Sequence, residues 1–287
     1  MRQRVITGIL FTIGVLAFVV PSLWIPYMMI PFCLIVGGVS IYEMIKAYKA
    51  GDIGASKNLI ISGALLSVLI LIASIILELD LFQSLVLYSI LIMLYCFAVA
   101  VIPSIACKDG LRIKEGVYTA ATVLYITFPL YCLAAVSILV ENGWYFMVPS
   151  LFAAWISDVC AYFSGVTLGK HKIVPHISPK KTWEGCIGGA LGCAIIVMIY
   201  FDVVIANVVG INANIVLMSL VGFLLGFLMS VMSQLGDWLA SLIKRAVGIK
   251  DYGNIFPGHG GMMDRFDSTF FTIPTGILLA LFSLILV

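Results

Sequence analysis

Nine runs of apolar residues, each close to the length of a membrane-spanning helix, divide this chain of 287 residues. A helix needs about 20 mostly apolar residues to cross a bilayer, and a segment in lipid must satisfy its own backbone polar groups. The runs therefore predict an all-α, polytopic integral membrane protein with about nine transmembrane helices. Their approximate bounds are 5–20, 24–45, 59–77, 81–101, 117–139, 144–168, 185–206, 214–243 and 268–287.

The composition excludes the other broad classes of protein. Charged residues make up 10% of the chain and hydrophobic residues 62%, with a mean hydropathy of +1.16, whereas a soluble domain carries about 25% charged residues. These values exclude a soluble globular protein, a disordered chain and a secreted disulfide scaffold. The sequence also lacks the alternating pattern of an outer-membrane barrel. The formal net charge of +2 is too small to indicate a nucleic-acid partner.

The basic residues fall on one side of the predicted spans. With nine spans and a cytoplasmic N-terminus, all 16 Lys and Arg residues lie in cytoplasmic segments, as the positive-inside rule requires. The opposite loops carry Glu78, Asp80 and Glu141 and no base. This pattern predicts a cytoplasmic N-terminus. No clear small-residue cleavage site follows the first apolar run and eight more spans do, so we expect the first helix to be retained and not cleaved as a signal peptide.

Acidic side chains inside the spans are the first functional candidates, because an ionisable group in a transmembrane segment is costly. Asp158 and Asp237 both lie inside predicted spans. The spacing of Asp237, Ser241 and Lys244 puts all three on one helix face, near the cytoplasmic rim. The simplest alternative is an Asp237–Lys244 ion pair in which the two charges neutralise each other.

Two further carboxylates, Asp264 and Asp267, stand three residues apart at the predicted start of the last helix. One alternative is that they stabilise this helix end as caps. Two carboxylates one turn apart also suit Mg²⁺, which usually takes one or two carboxylates together with substrate phosphates. If the last two helices pack together, Asp237 would join this metal site.

Glycines and bases surround the same two carboxylates. Glycine lets backbone N–H groups approach a ligand closely, and Lys and Arg are natural partners of phosphate oxygens. We interpret His259 as a structural donor in preference to a base. The pattern predicts a phosphate site formed by Gly253, Gly258, Gly260, Gly261, Lys244, Arg245, Lys250 and Arg265.

A second cytoplasmic segment, S-P-K-K-T-W-E-G from Ser178, has a local interpretation of its own. Ser178 followed by Pro179 is typical of a helix N-cap and first helical residue. Lys180 and Lys181 would then lie in the first helical turn, where the helix dipole disfavours cations, which indicates a bound anion nearby. An ordinary cytoplasmic loop is the alternative.

Acids for a metal, bases for phosphates and a glycine-rich segment at the cytoplasmic membrane edge favour phosphoryl or nucleotidyl transfer to or from a lipid. The sequence contains no GxxxxGK[ST] loop and no set of kinase motifs. Two alternatives stay open at this point. One is an ion-coupled transporter that uses Asp158 and Asp237, and the other is a lipid kinase, made CTP-dependent by the family resemblance that follows.

Three motifs carry a resemblance to a known family. The main one is S-x2-K-R-x4-K-D-x-G-x2-F-P-G-H-G-G-x2-D-R-x-D, which runs from Ser241 to Asp267 over 27 continuous positions. With D-x2-A-Y-x2-G from Asp158 and the segment from Ser178, it resembles the signature of phosphatidate cytidylyltransferases, also called CDP-diacylglycerol synthases. Many members have a glutamate where this chain has Ala240 and a base where it has Val166, which affects the expected phosphate contacts.

The resemblance implies a reaction in which CTP and phosphatidic acid give CDP-diacylglycerol and pyrophosphate, with Mg²⁺ required and the identity of any second cation left open. It implies an all-helical membrane fold with metal ligands at Asp237, Asp264 and Asp267. The residues expected to act in catalysis are Asp237, Lys244, Arg245, Asp264 and Asp267. Those expected to bind substrate are Ser178, Lys180, Lys181, Ser241, Lys250, Asp251, His259, Gly260 and Arg265.

The resemblance also sets expectations for organisation and location. It covers roughly residues 145–287, and the first 140 residues match only as hydrophobic helices. We therefore expect N-terminal transmembrane helices over 1–140 and a catalytic region over 141–287, with cytoplasmic loops at 169–184 and 244–267. The expected partners are CTP, phosphatidic acid and the lipid bilayer, without nucleic acid, and a homodimer is compatible with them. The expected location is the bacterial inner (plasma) membrane, with the active site facing the cytoplasm.

Overall fold

The computed structural model describes residues 2–106, 113–174, 178–209 and 215–286. Its long helices are α1 Arg2–Val19, α2 Met29–Ala50, α3 Lys57–Ile76, α4 Leu81–Ala106, α5 Ile113–Leu139, α6 Gly143–Leu168, α7 Trp183–Tyr200, α9 Ile215–Ala246 and α11 Thr269–Leu286. Between them lie the strands β1 Lys172–Val174 and β2 Ser178–Thr182 and the four-residue helices α8 Ala206–Val209 and α10 Met263–Phe266. A π-helical turn, Phe201–Ile205, joins α7 to α8.

The predicted all-α, polytopic membrane fold is confirmed. Within the described residues, eight helices are long and apolar enough to cross a membrane, namely α1 to α7 and α9. The ninth predicted span, 268–287, corresponds to the 18-residue helix α11. Two of the predicted cytoplasmic bases, Lys108 and Arg112, lie outside the described residues.

Internal contacts divide the chain into two compact units. The first unit comprises Met1–Val140 and Lys244–Arg265, and the second comprises Glu141–Ile243 and Phe266–Val287. The glycine-rich segment that follows α9 therefore packs with the N-terminal helices, although the sequence motifs assign it to the C-terminal region.

Helix α5 is the central helix of the first unit. The most apolar 18-residue window of α5 is 72% buried, against 33% in α3 and 22% in α4. Buried hydroxyls join α5 to α4, since Tyr131 pairs with Ser84 at 2.6 Å and Tyr88 with Thr127 at 2.9 Å. Such bonds between helices satisfy polar side chains that lipid could not solvate, and so they hold neighbouring helices together.

In the second unit, α6 contacts both α7 and α11. A Cβ built on Gly189 of α7 would lie 2.9 Å from the Ala161 Cβ and 3.0 Å from the Ser157 carbonyl oxygen of α6. The two backbones are therefore in direct contact, as small residues permit between membrane helices. On its other side, α6 accepts a 2.7 Å hydrogen bond at the Ser150 carbonyl oxygen from the Thr272 hydroxyl of α11.

Candidate active site

The end of α9 begins the glycine-rich segment of the first unit. The Gly248 N–H donates to the Arg245 carbonyl oxygen at 3.2 Å, and the Ile249 N–H donates to the Lys244 carbonyl oxygen at 2.9 Å. This pair of bonds is a Schellman C-cap, which requires a left-handed residue, and Gly248 has φ +73°. The chain therefore turns sharply just after Lys244 and Arg245.

Lys244 and Asp264 form the innermost ion pair of this segment. The Lys244 Nζ lies 2.8 Å from the Asp264 Oδ1, and the two side chains are only 14% and 4% exposed. The Asp264 Oδ2 accepts the backbone N–H groups of Tyr252 at 2.8 Å and Gly261 at 2.9 Å. Lys244 also lies over the Tyr252 ring. One predicted metal ligand and one predicted phosphate-binding base are thus bonded to each other.

Glu43 of α2 is a site residue that the sequence analysis missed. Its side chain is buried, and its two carboxylate oxygens accept the N–H groups of Met262 at 3.1 Å and Met263 at 2.8 Å. A Cβ on either Gly253 or Gly261 would collide with this carboxylate. The rule that directed attention to Asp158 and Asp237, an acid inside a predicted span, applies equally to Glu43.

Two of the glycines, Gly253 and Gly261, leave room for a buried carboxylate, and the phosphate cradle stays a prediction. In the described structure, the amides of Tyr252, Gly261, Met262 and Met263 face the protein's own carboxylates, Glu43 and Asp264. Small residues are needed here because a buried acid approaches the backbone closely.

His259 lies in a tight turn within the same segment. Its N–H donates to the Phe256 carbonyl oxygen at 2.8 Å, and the Phe256 N–H donates to the Gly260 carbonyl oxygen at 2.9 Å. Gly258 and Gly260 have φ +79° and +81°, so this turn depends on glycine at both positions. Among the described residues, the buried His259 Nδ1 has no hydrogen-bond partner.

The remaining charged residues predicted for this site differ in exposure. Arg245, Lys250 and Asp251 are exposed, and so their side chains are accessible to a charged ligand. Arg265 is half-buried, and its Nε is buried without a hydrogen-bond partner in the described part of the chain.

The second unit contains another pair of a predicted phosphate base with a predicted metal ligand. The Lys181 Nζ donates to the Asp237 Oδ2 in an ion pair whose side chains are 25% and 31% exposed. Lys181 also lies over the Trp238 ring, 5.6 Å from its centroid. The suggested Asp237–Lys244 pair is wrong, since each of these residues has a different partner.

The helix start predicted at Ser178 is also wrong. Ser178–Thr182 is a strand that pairs antiparallel with Lys172–Val174, and α7 begins only at Trp183. Thr182 is the N-cap, because its hydroxyl accepts the Gly185 N–H at 3.2 Å. Lys181 therefore lies on a strand, outside the first helical turn, and the inference of an anion from an unfavourable helix dipole loses its basis. Ser178 and Lys180 belong to this strand, but their side chains fall outside the described part.

Asp267 is buried at the start of α11. Its Oδ1 accepts the Ser268 N–H at 2.7 Å. A Cβ on Gly236 would lie 2.8 Å from the Asp267 carbonyl oxygen, so α9 and the start of α11 touch one residue before Asp237. Within this unit, the last two long helices therefore meet beside Asp237, which was the condition for Asp237 to join the predicted metal site. Ser241, one turn further along α9, is half-buried.

One residue selected from the sequence, Asp158, is assigned no role here. Asp158 of α6 is an exposed residue, although the sequence places it within a span.

The described residues of neither unit bring together three or more His, Cys, Asp or Glu side chains that could hold a metal. The set Asp237, Asp264 and Asp267 therefore stays a prediction.

Comparisons with known proteins extend over nearly the whole chain. Residues 2–283 match the profile of the cytidylyltransferase family. The chain is 31% identical to a phosphatidate cytidylyltransferase of Bacillus subtilis (strain 168) over 287 residues, 99% of each protein. It is 43% identical to proteins of the same name from Staphylococcus haemolyticus over 134 residues and Staphylococcus aureus (strain COL) over 139 residues. Each of these two matches covers 47% of this chain and 48% of the relative.

Proposed function

Because this chain belongs to the cytidylyltransferase family, we propose that it transfers the cytidylyl group of CTP to phosphatidate, giving CDP-diacylglycerol and pyrophosphate. The observation that carries the proposal is similarity along 99% of the chain to a protein named phosphatidate cytidylyltransferase. The polytopic fold supports it, because a lipid acceptor and a lipid product can both keep their acyl chains in the bilayer.

The proposed chemistry is attack by a phosphatidate oxygen on the α-phosphorus of CTP. A P–O bond forms to the lipid, the bond between the α-phosphorus and the β-phosphate bridging oxygen breaks, and pyrophosphate leaves. A phosphate monoester has a second pKa of about 6, so the attacking oxygen is already ionised at neutral pH. No strong general base is needed, and His259 is therefore given a binding role.

The principal barrier is electrostatic repulsion between phosphatidate and CTP, and positively charged lysines reduce it. Lys181 in the second unit and Lys244 in the first are each paired with an aspartate. When phosphate oxygens replace these aspartates, each lysine keeps a negative partner and binds phosphate. The exposed Arg245 and Lys250 add positive charge at the end of α9.

Mg²⁺ is the proposed cofactor. The donor set fits it, because Asp237, Asp264 and Asp267 offer carboxylate oxygens, the ligands that this hard cation prefers. Asp237 and Asp264 are now held by lysines, and these two acids become available as the lysines turn to phosphate. Bound there, Mg²⁺ would neutralise charge on the phosphate oxygens.

We also propose that the active site faces the cytoplasm of a bacterial cell, in the inner membrane. The distribution of Lys and Arg supports this orientation, and the relatives described above are bacterial proteins. CTP is a charged solute, which would have to reach the site from the aqueous side.

Radiolabelled CTP tests the proposed reaction. Purified protein in lipid nanodiscs would receive α-labelled CTP and phosphatidic acid, with and without Mg²⁺. We expect lipid-soluble label and an equal amount of pyrophosphate, only when phosphatidic acid and Mg²⁺ are both present. Release of CDP with diacylglycerol as acceptor would indicate a lipid kinase instead. If no labelled lipid forms in this assay and vesicles containing the protein take up a solute without CTP, the protein would be a transporter.

A further inference from the structure

The N-terminal helices contribute a buried acid to the glycine-rich segment. Glu43 lies in α2, is 2% exposed, and bonds the backbone of Met262 and Met263 more than 200 residues away in sequence. These two amides immediately precede Asp264, the proposed metal ligand. Glu43 therefore fixes the main chain from which the Asp264 carboxylate extends.

The contacts around Glu43 show a site shaped for a carboxylate. Both oxygens are used, one for each amide, and the glycines at 253 and 261 leave the space that the carboxylate occupies. Hydrogen bonds from backbone N–H groups to an ionised carboxylate are stronger than bonds between neutral groups. A glutamine could accept a bond at its single carbonyl oxygen, but its NH₂ group would face the second amide donor to donor.

Asp264 holds the same segment, but it has a second task. Its Oδ2 bonds Tyr252 and Gly261, while its Oδ1 bonds Lys244. Under the proposed function, Asp264 would help to hold a cation, and its Oδ1 would then be released from Lys244. Glu43 contacts none of the proposed metal ligands or phosphate bases through a hydrogen bond described in the structure, so its bonds can persist through that release.

We propose that Glu43 is a positioning residue for the cytidylyl transfer proposed above. It holds the backbone at Met262 and Met263 in place, so that Asp264 is directed at the cation and Lys244 is free to turn to phosphate. The inference rests on the proposed function and extends it, because it gives the N-terminal helices a part in forming the active site.

The test compares Glu43→Gln with Ser40→Ala. Ser40 lies on the same helix one turn earlier, is also buried, and its hydroxyl has no hydrogen-bond partner among the described residues. Deleting that hydroxyl should therefore leave every readout unchanged. Hydrogen exchange of the metal-free protein in nanodiscs is measured over residues 252–264, and Mg²⁺ and CTP titrations of the labelled-lipid assay follow.

For Glu43→Gln we expect faster exchange at Met262 and Met263 in the absence of metal. We also expect the Mg²⁺ concentration for half-maximal activity and the KM for CTP to rise roughly 10- to 100-fold, as for residues that orient metal ligands, with a smaller change in kcat. Normal exchange in this variant would overturn the proposal. Faster exchange with an unchanged Mg²⁺ requirement would also overturn it, because the role would then be structural only.

A second variant covers the case in which Glu43→Gln does not fold. Gly261→Ala leaves α2 intact, but its methyl group would displace the Glu43 carboxylate from the two amides. The same faster exchange and higher Mg²⁺ requirement are expected, and wild-type behaviour would contradict the proposal. If the wild-type protein forms no labelled lipid, the proposed reaction fails, while the exchange measurements still decide whether Glu43 holds the segment.

Discussion

At the scale of single residues, the Lys244–Asp264 pair is the most informative contact. Both side chains are nearly buried, and their charges compensate each other. Removing one partner of such a pair leaves an uncompensated charge in a poorly solvated site, and so the pair is costly to break unless a ligand replaces the lost partner. The proposed substrate complex supplies both replacements, a cation for Asp264 and a phosphate for Lys244.

We expect Asp264→Asn to abolish CDP-diacylglycerol formation, a loss of at least about 100-fold, and to lower the thermal midpoint because Lys244 loses its charged partner, while the protein still folds. The asparagine oxygen can still accept the Tyr252 and Gly261 amides, but the charge that would bind the cation is lost. The measurement is lipid-soluble label from CTP, together with elution profile and thermal midpoint.

Asp80→Asn is the matched control for that substitution. Asp80 is an exposed acid at the start of α4, where its carboxylate accepts the Gln83 N–H at 2.8 Å. Its replacement by asparagine should leave turnover unchanged, since asparagine is also a good helix cap. Near-normal turnover by a folded Asp264→Asn protein would refute the metal assignment.

The sequence was sufficient to select most of these residues, but it did not reveal their partners. Asp237 and Asp264 could be selected from the sequence because acids near the membrane edge are unusual. Asp237 bonds Lys181, 56 residues away, and Glu43 bonds Met263. These partners depend on how the helices pack, which a local sequence pattern does not determine.

At the scale of elements, the contact between α6 and α7 depends on the absence of side chains. Gly185 and Gly189 form a GxxxG pattern on α7, and Gly188 and Gly192 form a second one. A Cβ on Gly192 would lie 2.6 Å from the Cys160 Sγ of α6. The helices therefore approach along a ridge of glycines, which fixes the start of α7 and the strand that carries Lys181.

We expect Gly189→Leu to separate α6 from α7, because the new side chain would meet the Ala161 Cβ and the Ser157 carbonyl oxygen. Overpacking of this type costs about 1–3 kcal/mol, and it should lower the thermal midpoint of the purified protein and its yield in the membrane.

Gly14→Leu is the control, since a Cβ at Gly14 of α1 would meet nothing within 4 Å. The two variants carry the same substitution in a membrane helix, so a difference between them reports the helix contact. Equal thermal midpoints for both would contradict the close packing described here.

The long helices could be predicted from apolar runs, whereas the β1–β2 hairpin could not. Length and hydropathy alone require a helix in lipid. This explains why the predicted spans agree with the long helices α1 to α7 and α9. The segment from Ser178 carries a serine–proline pair that is equally compatible with a helix start. Pairing with Lys172–Val174 and capping by Thr182 decide the outcome, and strand pairing is a non-local contact.

At the scale of the whole molecule, the distribution of charge predicts orientation. The chain has 16 bases, and the nine predicted spans place all of them on the side of the N-terminus. A different number of spans would break this alternation. The ends of α2 and α4 and the start of α3 lie close in sequence to basic residues, and the orientation stays a prediction.

Paired reporter fusions should establish this orientation. We expect a fluorescent protein fused after Gly54 to fold in the cytoplasm, and alkaline phosphatase fused after Asp80 to be active outside it. Exchanging the two reporters between these positions should abolish both signals, which provides the internal control. An active phosphatase after Gly54 would show that the predicted topology is inverted.

The close approach of Glu43 to the glycines at 253 and 261 also restricts how this sequence can diverge. A methyl group at either glycine collides with the carboxylate for as long as residue 43 is a glutamate. A larger residue at 253 or 261 would displace the carboxylate, and a shorter residue at 43 would remove it, so either change alone loses the bonds to Met262 and Met263. Residue 43 and the glycines at 253 and 261 are therefore expected to diverge together, although they lie far apart in the sequence.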